Sequence, residues 1–217
     1  MTKAEDQAAP PTSRLELKRA RRIEHLERTA ARIFAQNGYD GTNFDLIAAE
    51  LDMRGPSLYH YFASKEDLFL RCVQKSASEV FARLRAISDG NLQSGEKLRA
   101  LFREQVLIEV RDYPEFVPLF FKIHVPIAEL EEAVLQIRRE HAMIFEDVVA
   151  KLRKRTKADK SDVRVQLGVA FGALAYLSEW YDPRGAIGVE ELADKLADLL
   201  AAPFMSSSVA SRLDGGA

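Results

Sequence analysis

Apolar side chains recur at helical spacing along most of this chain. Leu26, Ala30 and Phe34 lie at i, i+4 and i+8, which places them on one face of a helix. This helix is predicted to end at Asn37-Gly38, because glycine readily adopts the left-handed conformation that closes helices. No segment sustains the alternation of apolar and polar positions that is typical of a half-buried strand. The periodicity therefore predicts an all-α chain.

Two short amphipathic segments follow the first helix. Thr42 is predicted to cap a helix over 44–51, with an acidic residue three positions later as in a capping box. A second helix over 55–62 would bury Leu58 and Phe62 at i, i+4. Two short helices joined by a tight turn are the layout of a helix-turn-helix, whose second helix enters the major groove of DNA.

Longer helices are predicted over the rest of the chain. One begins at Lys65 and ends near Ile87, and Pro114, Pro126 and Pro183 mark later breaks because proline lacks a backbone donor and restricts the residue before it. The predicted ranges are 96–112, 114–123, 127–155, 161–181 and 189–202.

Polar tails flank the predicted helices. Residues 1–13 and 206–217 carry few large apolar side chains and are predicted to be disordered. Between the tails we predict a helix-turn-helix DNA-binding domain over 14–66 and a second helical domain over 67–205.

Charge and composition exclude several classes of protein. The 31 basic and 33 acidic residues give a net charge of -2, so a nucleic-acid interface has to come from a local motif. A single cysteine excludes an intramolecular disulfide. The longest uncharged stretch, 167–178, is too short to cross a membrane. We predict a soluble, cytoplasmic protein with no membrane partner.

Catalytic and metal-binding patterns are not found in the sequence. The four histidines are scattered, without the one-helix spacing that holds a metal, and no glycine-rich phosphate loop occurs. We therefore predict no metal, no cofactor and no enzymatic activity. An enzyme on a helical scaffold is the remote alternative.

The predicted helix over 55–62 carries polar chemistry opposite its apolar pair. Its outer positions are Arg54, Ser57, Tyr59, His60 and Tyr61. Hydroxyl groups and a guanidinium suit phosphate oxygens and base edges. The alternative is that the tyrosines are packing side chains.

A basic run precedes the first predicted DNA-binding helix. It comprises Arg14, Lys18, Arg19, Arg21 and Arg22, with one acid among them. Such a run can lie along phosphates or enter a minor groove as an arm. The alternative is a solvated run that only aids solubility.

The typed positions around the helix-turn-helix resemble the TetR family of transcriptional regulators. The matching string is Gly38-Tyr39, Thr42, Ile47-Ala48, Leu58-Tyr59, Tyr61-Phe62, Ser64-Lys65-Glu66 and Leu68. Three positions depart from the family pattern. Asp52 stands where glycine is common, although aspartate tolerates left-handed dihedrals. Arg54 replaces a small N-cap residue and Pro56 a common glycine, which changes the expected base contacts rather than the fold.

This resemblance implies roles for individual residues. Phosphate contacts are expected from Thr42, Tyr59, Tyr61 and Lys65. Base contacts are expected from Arg54, Gly55, Pro56, Ser57 and His60. The basic run would add Arg19, Arg21 and Arg22 if it follows the DNA backbone.

The resemblance also implies a C-terminal domain that dimerises and binds an effector. A homodimer is expected through the last two helices, where Gly168, Gly172 and Ala175 form a stripe of small residues beside the leucine-rich 189–202; packing within one chain is the alternative. An effector pocket is expected among the aromatic residues of the domain, which would otherwise be core. The candidates are Phe102, Phe116, Phe120, Phe121, His141, Phe145, Phe171, Tyr176 and Trp180.

Two candidate effector classes follow from the same resemblance. The run 137–141, with Arg138 and Arg139, and the segment 180–183 are similar to members that sense acyl-coenzyme A thioesters. An apolar drug or aromatic compound is the competing ligand. We therefore predict a ligand-responsive repressor that binds a double-stranded DNA operator as a homodimer; an activator and a ligand-independent DNA binder are the alternatives.

Overall fold

The structure is a computed structural model that describes residues 13–153 and 160–205. The predicted tails, apart from Ser13, lie outside these ranges. The helices are α1 (Arg14–Asn37), α2 (Phe44–Glu50), α3 (Lys65–Ser88), α4 (Ser94–Leu107), α5 (Ala128–Arg153), α6 (Lys160–Ala175), α7 (Leu177–Trp180) and α8 (Val189–Met205). The described ranges contain no strand, so the all-α prediction is confirmed.

Three shorter elements interrupt this series. A 3₁₀ helix, Gly55–His60, lies between α2 and α3. Two π-helical turns, Ile108–Asp112 and Pro118–Lys122, lie between α4 and α5. The prediction of continuous helices over 96–112 and 114–123 is therefore wrong, because the chain widens to π geometry on both sides of Pro114. The predicted helix over 161–181 is also broken, at Tyr176 between α6 and α7.

The chain divides into two compact units, Met1–Cys72 and Val73–Ala217, and the boundary falls inside α3. The sequence-based boundary between residues 66 and 67 stays a prediction. No helix in the described ranges is long and apolar enough to span a membrane.

The first unit is built around a small apolar core. Leu26 and Phe34 of α1, Ile47 of α2, and the predicted pair Leu58 and Phe62 are buried to 4% exposure or less. The α1 helix begins earlier than its apolar pattern suggests, because Ser13 and Glu16 form a capping box. The basic run consequently lies within α1, and the prediction that it forms an arm preceding the helix is wrong.

In the second unit, α4 packs extensively against α8 and also against α5. Phe102 of α4 contacts Phe145 of α5 and Phe204 of α8, with ring centroids 5.3 and 6.2 Å apart. At the exposed edge of this packing, Arg99 and Arg103 both pair with Asp194. Surface pairs of this kind contribute little each, so the buried rings hold the helices together.

Candidate DNA interface and effector site

The turn between α2 and the 3₁₀ helix is short and left-handed at one residue. Asp52 has φ 51°, the conformation that glycine adopts most easily and aspartate tolerates. The Met53 amide donates to Ala48 O at 2.8 Å, which closes the turn. The prediction that Asp52 maintains this turn is confirmed.

Helix α2 begins at Phe44 as predicted, but its N-cap is one residue later than the sequence suggested. Its N-cap is Asn43, whose side chain accepts a hydrogen bond from the Leu46 amide at 2.8 Å. Thr42 is buried instead, and its hydroxyl donates to Gly38 O at 2.7 Å. The prediction of Thr42 as the cap is therefore wrong, because its hydroxyl closes the preceding turn.

The element after the turn is a six-residue 3₁₀ helix rather than a helix over 55–62. Buried Leu58 anchors it, while Arg54, Tyr59 and His60 are exposed. The side chain of Tyr59 is 64% exposed even though its ring leans on Phe44 at 4.7 Å. The 3₁₀ helix is anchored on its buried side and exposes polar side chains on the other. These side chains are therefore available to a groove of DNA.

The other predicted DNA-contacting residues of this region are exposed or half-buried. Pro56 is exposed, whereas Gly55, Ser57 and Tyr61 are half-buried. Lys65 is half-buried as well: its ammonium donates to Tyr39 O at 3.1 Å and lies 4.1 Å from the centre of the Tyr39 ring.

The basic residues of α1 remain on the surface. Arg19 and Arg21 are exposed. Arg22 is half-buried because its guanidinium donates to the Met53 sulfur at 2.9 Å. Arg22 therefore ties α1 to the turn that precedes the 3₁₀ helix.

The predicted effector residues do not share one environment. The side chains of Phe102, Phe116, Phe120, Phe145 and His141 are buried. Phe121 and Phe171 are at the margin of this core. Tyr176 and Trp180 lie on the surface of the C-terminal helices, at 66% and 58% exposure. The aromatic set thus divides into a buried cluster and a surface pair.

A buried polar chain begins at His141, which lies inside the aromatic cluster. His141 Nε2 lies 2.9 Å from Gln105 Oε1, and Gln105 Nε2 donates to Glu109 Oε1 at 2.7 Å. Because the amide oxygen only accepts, His141 Nε2 carries the proton. Burial lowers the pKa of His141 to about 4 and raises the pKa of Glu109 to about 7. Gln105 and Glu109 were not predicted, although polar residues at i, i+4 on an otherwise apolar helix face are a signal that the sequence contains.

The described part of the second unit contains a groove and a smaller cavity. One, of about 510 Å³, is a groove between α3 and α5 with Ala77, Phe81 and Ile137 among its lining. The other, of about 260 Å³, is lined by residues 121–125 and by Arg138. Burial lowers the pKa of the Arg138 guanidinium, which donates to Phe120 O and lies 5.5 Å from the Phe121 ring centre.

A compact helix-turn-helix unit joined to a larger helical unit defines a class of DNA-binding regulator. Family comparisons agree with this geometry. Residues 28–72 match the family described as bacterial regulatory proteins, tetR family, and residues 91–203 match the tetracyclin repressor-like C-terminal domain. The chain belongs to the TetR family. Its members are DNA-binding transcriptional regulators rather than enzymes. The predictions of a TetR-family regulator and of no enzymatic activity are therefore confirmed.

Individual relatives are similar over different lengths. The chain is 27% identical to the HTH-type transcriptional repressor KstR2 of Rhodococcus jostii over 195 residues, covering 88% of this chain and 94% of that one. It is 39% identical to KstR2 of Mycobacterium tuberculosis over 83 residues. That match covers 38% of this chain and 41% of the relative, so the chain spans less than half of that relative's length in this match.

A solved structure shows the same fold. AibR in complex with isovaleryl coenzyme A and operator DNA superposes with a TM-score of 0.72 at 22% identity. The superposition covers 82% of this chain and 97% of AibR.

Proposed function

We propose that this protein is a cytoplasmic, homodimeric repressor that leaves its DNA operator when a small apolar or acyl-coenzyme A effector binds. The observation that carries the proposal is the exposed polar side of the anchored 3₁₀ helix. Its relatives KstR2 are repressors, and AibR binds both isovaleryl coenzyme A and operator DNA. Family membership and these relatives support the repressor role and the effector class.

In this proposal, Tyr59 contacts a DNA phosphate while the turn presents Arg54 to base edges. The basic residues Arg19 and Arg21 extend the positively charged surface from Arg54 along α1. Thr42 and Lys65 act from behind this surface, since their polar atoms already bond the backbone. They would hold the turn at Gly38 and Tyr39 in place and add phosphate contacts only through their remaining hydrogen-bonding capacity.

The Tyr59 contact is testable by substitution. Tyr59→Ala should weaken binding to the protein's own upstream DNA and to unrelated DNA alike, because a phosphate contact carries no sequence information. The dependence of log affinity on log salt should flatten by about one per lost contact. Filter binding at several salt concentrations measures both effects. Leu92→Ala, an exposed loop substitution in the second unit, is the control, and a Tyr59→Ala slope equal to the wild-type slope would remove this residue from the interface.

Dimerisation in this proposal uses an apolar face of the C-terminal helices. Val165, Val169 and Leu199 are 66–69% exposed, and helix α6 packs beside α8. Gly168 and Gly172 leave open space on the same side of α6. Exposed aliphatic side chains next to glycines allow two helix pairs to approach closely in a four-helix bundle.

Release by an effector is the third part of the proposal. The cavity at Arg138 would hold the anionic end of a coenzyme A ester, since a guanidinium pairs well with phosphate. Isovaleryl coenzyme A added to a protein–operator complex is expected to lower operator affinity by about 5- to 150-fold, the range of typical allosteric coupling. An unchanged affinity with this ester, and with a series of longer acyl esters and apolar aromatics, would contradict the proposal.

A matched pair of variants tests the role of Arg138. Arg138→Met should weaken the response to the ester and leave DNA binding without effector unchanged. Arg139→Met is the control, because Arg139 is exposed and pairs with Glu132 at 2.6 Å. Equal responses in the two variants would assign the coenzyme to a different site.

A further inference from the structure

The polar chain of His141, Gln105 and Glu109 ends at an unsatisfied atom. Glu109 Oε2 is buried and has no hydrogen-bond partner, and the residue is only 9% exposed. Leaving a buried acceptor unpaired costs free energy. An orphaned group of this kind therefore indicates that something else pairs with it.

The backbone at this point is irregular as well. Glu109 lies in the π-helical turn Ile108–Asp112, directly after α4. Single π turns inserted after α-helices are frequent at functional sites, because they redirect side chains that a regular helix would align. The irregular turn and the unpaired oxygen occur at the same residue.

The surroundings of the chain are apolar. The His141 ring lies 5.3–6.2 Å from the rings of Phe81, Phe116, Phe145 and Phe171. Phe81 also lines the groove between α3 and α5, so one side chain belongs to both the groove and the ring cluster. The His141 end of the polar chain thus lies among rings that reach the groove, and the unpaired Glu109 oxygen lies two hydrogen bonds away at its other end.

We propose that Glu109 Oε2 binds the hydroxyl group of an otherwise apolar effector, with the phenylalanine cluster around His141 holding the apolar part. This inference rests on the proposed binding of a small apolar effector by the second unit. The polar chain donates in one direction, from His141 to Gln105 to Glu109, so its end accepts the next donor. A hydroxyl fits this end well because it donates to a carboxylate and accepts from a carboxylic acid.

A cationic ligand fits the site less well. An ammonium would bury a charge pair among phenyl rings, and the desolvation cost of such pairs is large. A neutral hydroxyl avoids this cost.

Three probes with the same number of heavy atoms separate the possibilities. These are 1-naphthalenemethanol, 1-ethylnaphthalene and 1-naphthylmethylamine, which differ in one terminal group; 1-octanol and nonane provide an aliphatic pair. Calorimetric titration of the full-length protein without DNA gives each dissociation constant. The preference for alcohol over hydrocarbon should be about tenfold greater in the wild type than in Glu109→Leu, the effect of one buried hydrogen bond.

Two further variants make the result specific. Glu109→Gln keeps a hydrogen-bonding group and should retain most of the preference. Glu140→Leu removes an acid that lines the groove outside the polar chain, and its preference should equal that of the wild type. Glu109→Leu removes the unpaired Oε2 but also takes the acceptor from Gln105 Nε2, a cost of about 1–3 kcal/mol. Thermal unfolding of each variant verifies that it remains folded, and Glu109→Gln keeps an acceptor for Gln105.

The proposal is overturned by any of three results. These are equal preferences in the wild type and Glu109→Leu, tighter binding of the amine than of the alcohol, and no binding of either alcohol. Because these titrations contain no DNA, they are independent of operator release. Loss of operator release with a retained alcohol preference would reject the proposed regulation and keep this site.

Discussion

At the scale of single residues, burial shifts the pKa values of the two ends of the polar chain in opposite directions. Glu109 takes up its proton more readily than in water, and His141 gives its proton up more readily, because each prefers to be neutral in the core. Gln105 joins two uncharged groups at mildly acidic pH. Glu109 and His141 therefore make the free energy of unfolding depend on pH in opposite directions.

The first prediction concerns stability between about pH 4.5 and 6.5. Here folded Glu109 keeps a proton that the unfolded chain loses, so its contribution to the free energy of unfolding falls as pH rises. Folded His141 lacks a proton that the unfolded chain binds, so its contribution increases with pH. The two slopes largely cancel in the wild type.

Single substitutions should reveal each slope. In Glu109→Gln, the free energy of unfolding should increase with pH by an amount on the order of 3 kcal/mol across this range. In His141→Asn it should decrease by a similar amount. Urea unfolding at pH 4.5, 5.5 and 6.5 measures the profiles. Profiles of both variants parallel to that of the wild type would show that these groups titrate normally in the folded chain.

At the scale of elements, the longest helices were predictable and the irregular ones were not. Helix α3 extends from Lys65 to Ser88, one residue beyond the expected end near Ile87. Its apolar spacing is local, so the sequence alone was sufficient. The π-helical turns beside Pro114 depend on packing between distant segments, and no spacing signal marks them. The sequence does place Gln105 and Glu109 four residues apart, but it could not pair them with His141, because His141 and Gln105 meet only when α5 packs on α4.

The 3₁₀ helix shows how close packing limits one of its residues. A Cβ added to Gly55 would lie 1.9 Å from Asp45 Oδ1 of α2. The absence of a side chain therefore lets the two elements of the helix-turn-helix approach each other. This finding gives Gly55 a packing role in addition to the base contact that the family resemblance implies.

The second prediction tests that packing role with a compensating change. Gly55→Ala should destabilise the first unit by about 1 kcal/mol, the low end of overpacking costs, because the exposed Asp45 carboxylate can rotate away from the added Cβ. Operator binding should weaken with it. Adding Asp45→Ala removes the clashing carboxylate and should restore both properties. Thermal unfolding and gel-shift titration measure them.

Gly188→Ala is the control for the glycine change itself, since nothing lies within 4 Å of a Cβ at that position. If the double variant binds DNA as poorly as Gly55→Ala although its stability is restored, the glycine contacts DNA directly. If Gly55→Ala behaves as the wild type in both assays, the packing argument is wrong.

At the scale of the whole molecule, the exposed apolar face of α6 and α8 is the main feature that one chain leaves uncovered. The sequence indicated the small residues of α6 but not which leucines of α8 would be outside. The structure buries Leu192 and exposes Leu199. The packing of α8 against α4 decides which of these two leucines is buried. The residue pattern within α8 does not distinguish them.

The third prediction concerns the oligomeric state. Leu199→Asp should convert a dimer to a monomer, because it places a charge in the middle of the proposed apolar interface. Operator affinity should fall by more than about tenfold when two half-sites are no longer bound together. Sedimentation equilibrium measures the mass, and a gel shift measures the affinity.

Leu15→Asp is the matched control, since Leu15 is even more exposed but lies on α1 in the first unit. It should leave the mass unchanged. A monomeric wild type, or a Leu199→Asp variant that remains dimeric, would place the interface elsewhere.

The surface position of Trp180 gives the protein an internal optical reporter. It is the single tryptophan of the chain and is 58% exposed. It is the last residue of α7, and its ring lies beside that of Tyr181. If a second copy covers this surface, the indole leaves water, and its fluorescence emission shifts to shorter wavelength. Dilution through the dissociation constant would then shift the emission maximum toward longer wavelength, and the spectrum of Leu199→Asp would already lie there at every concentration. Dimer formation by this regulator can thus be followed by the wavelength of its own fluorescence maximum, with no attached dye.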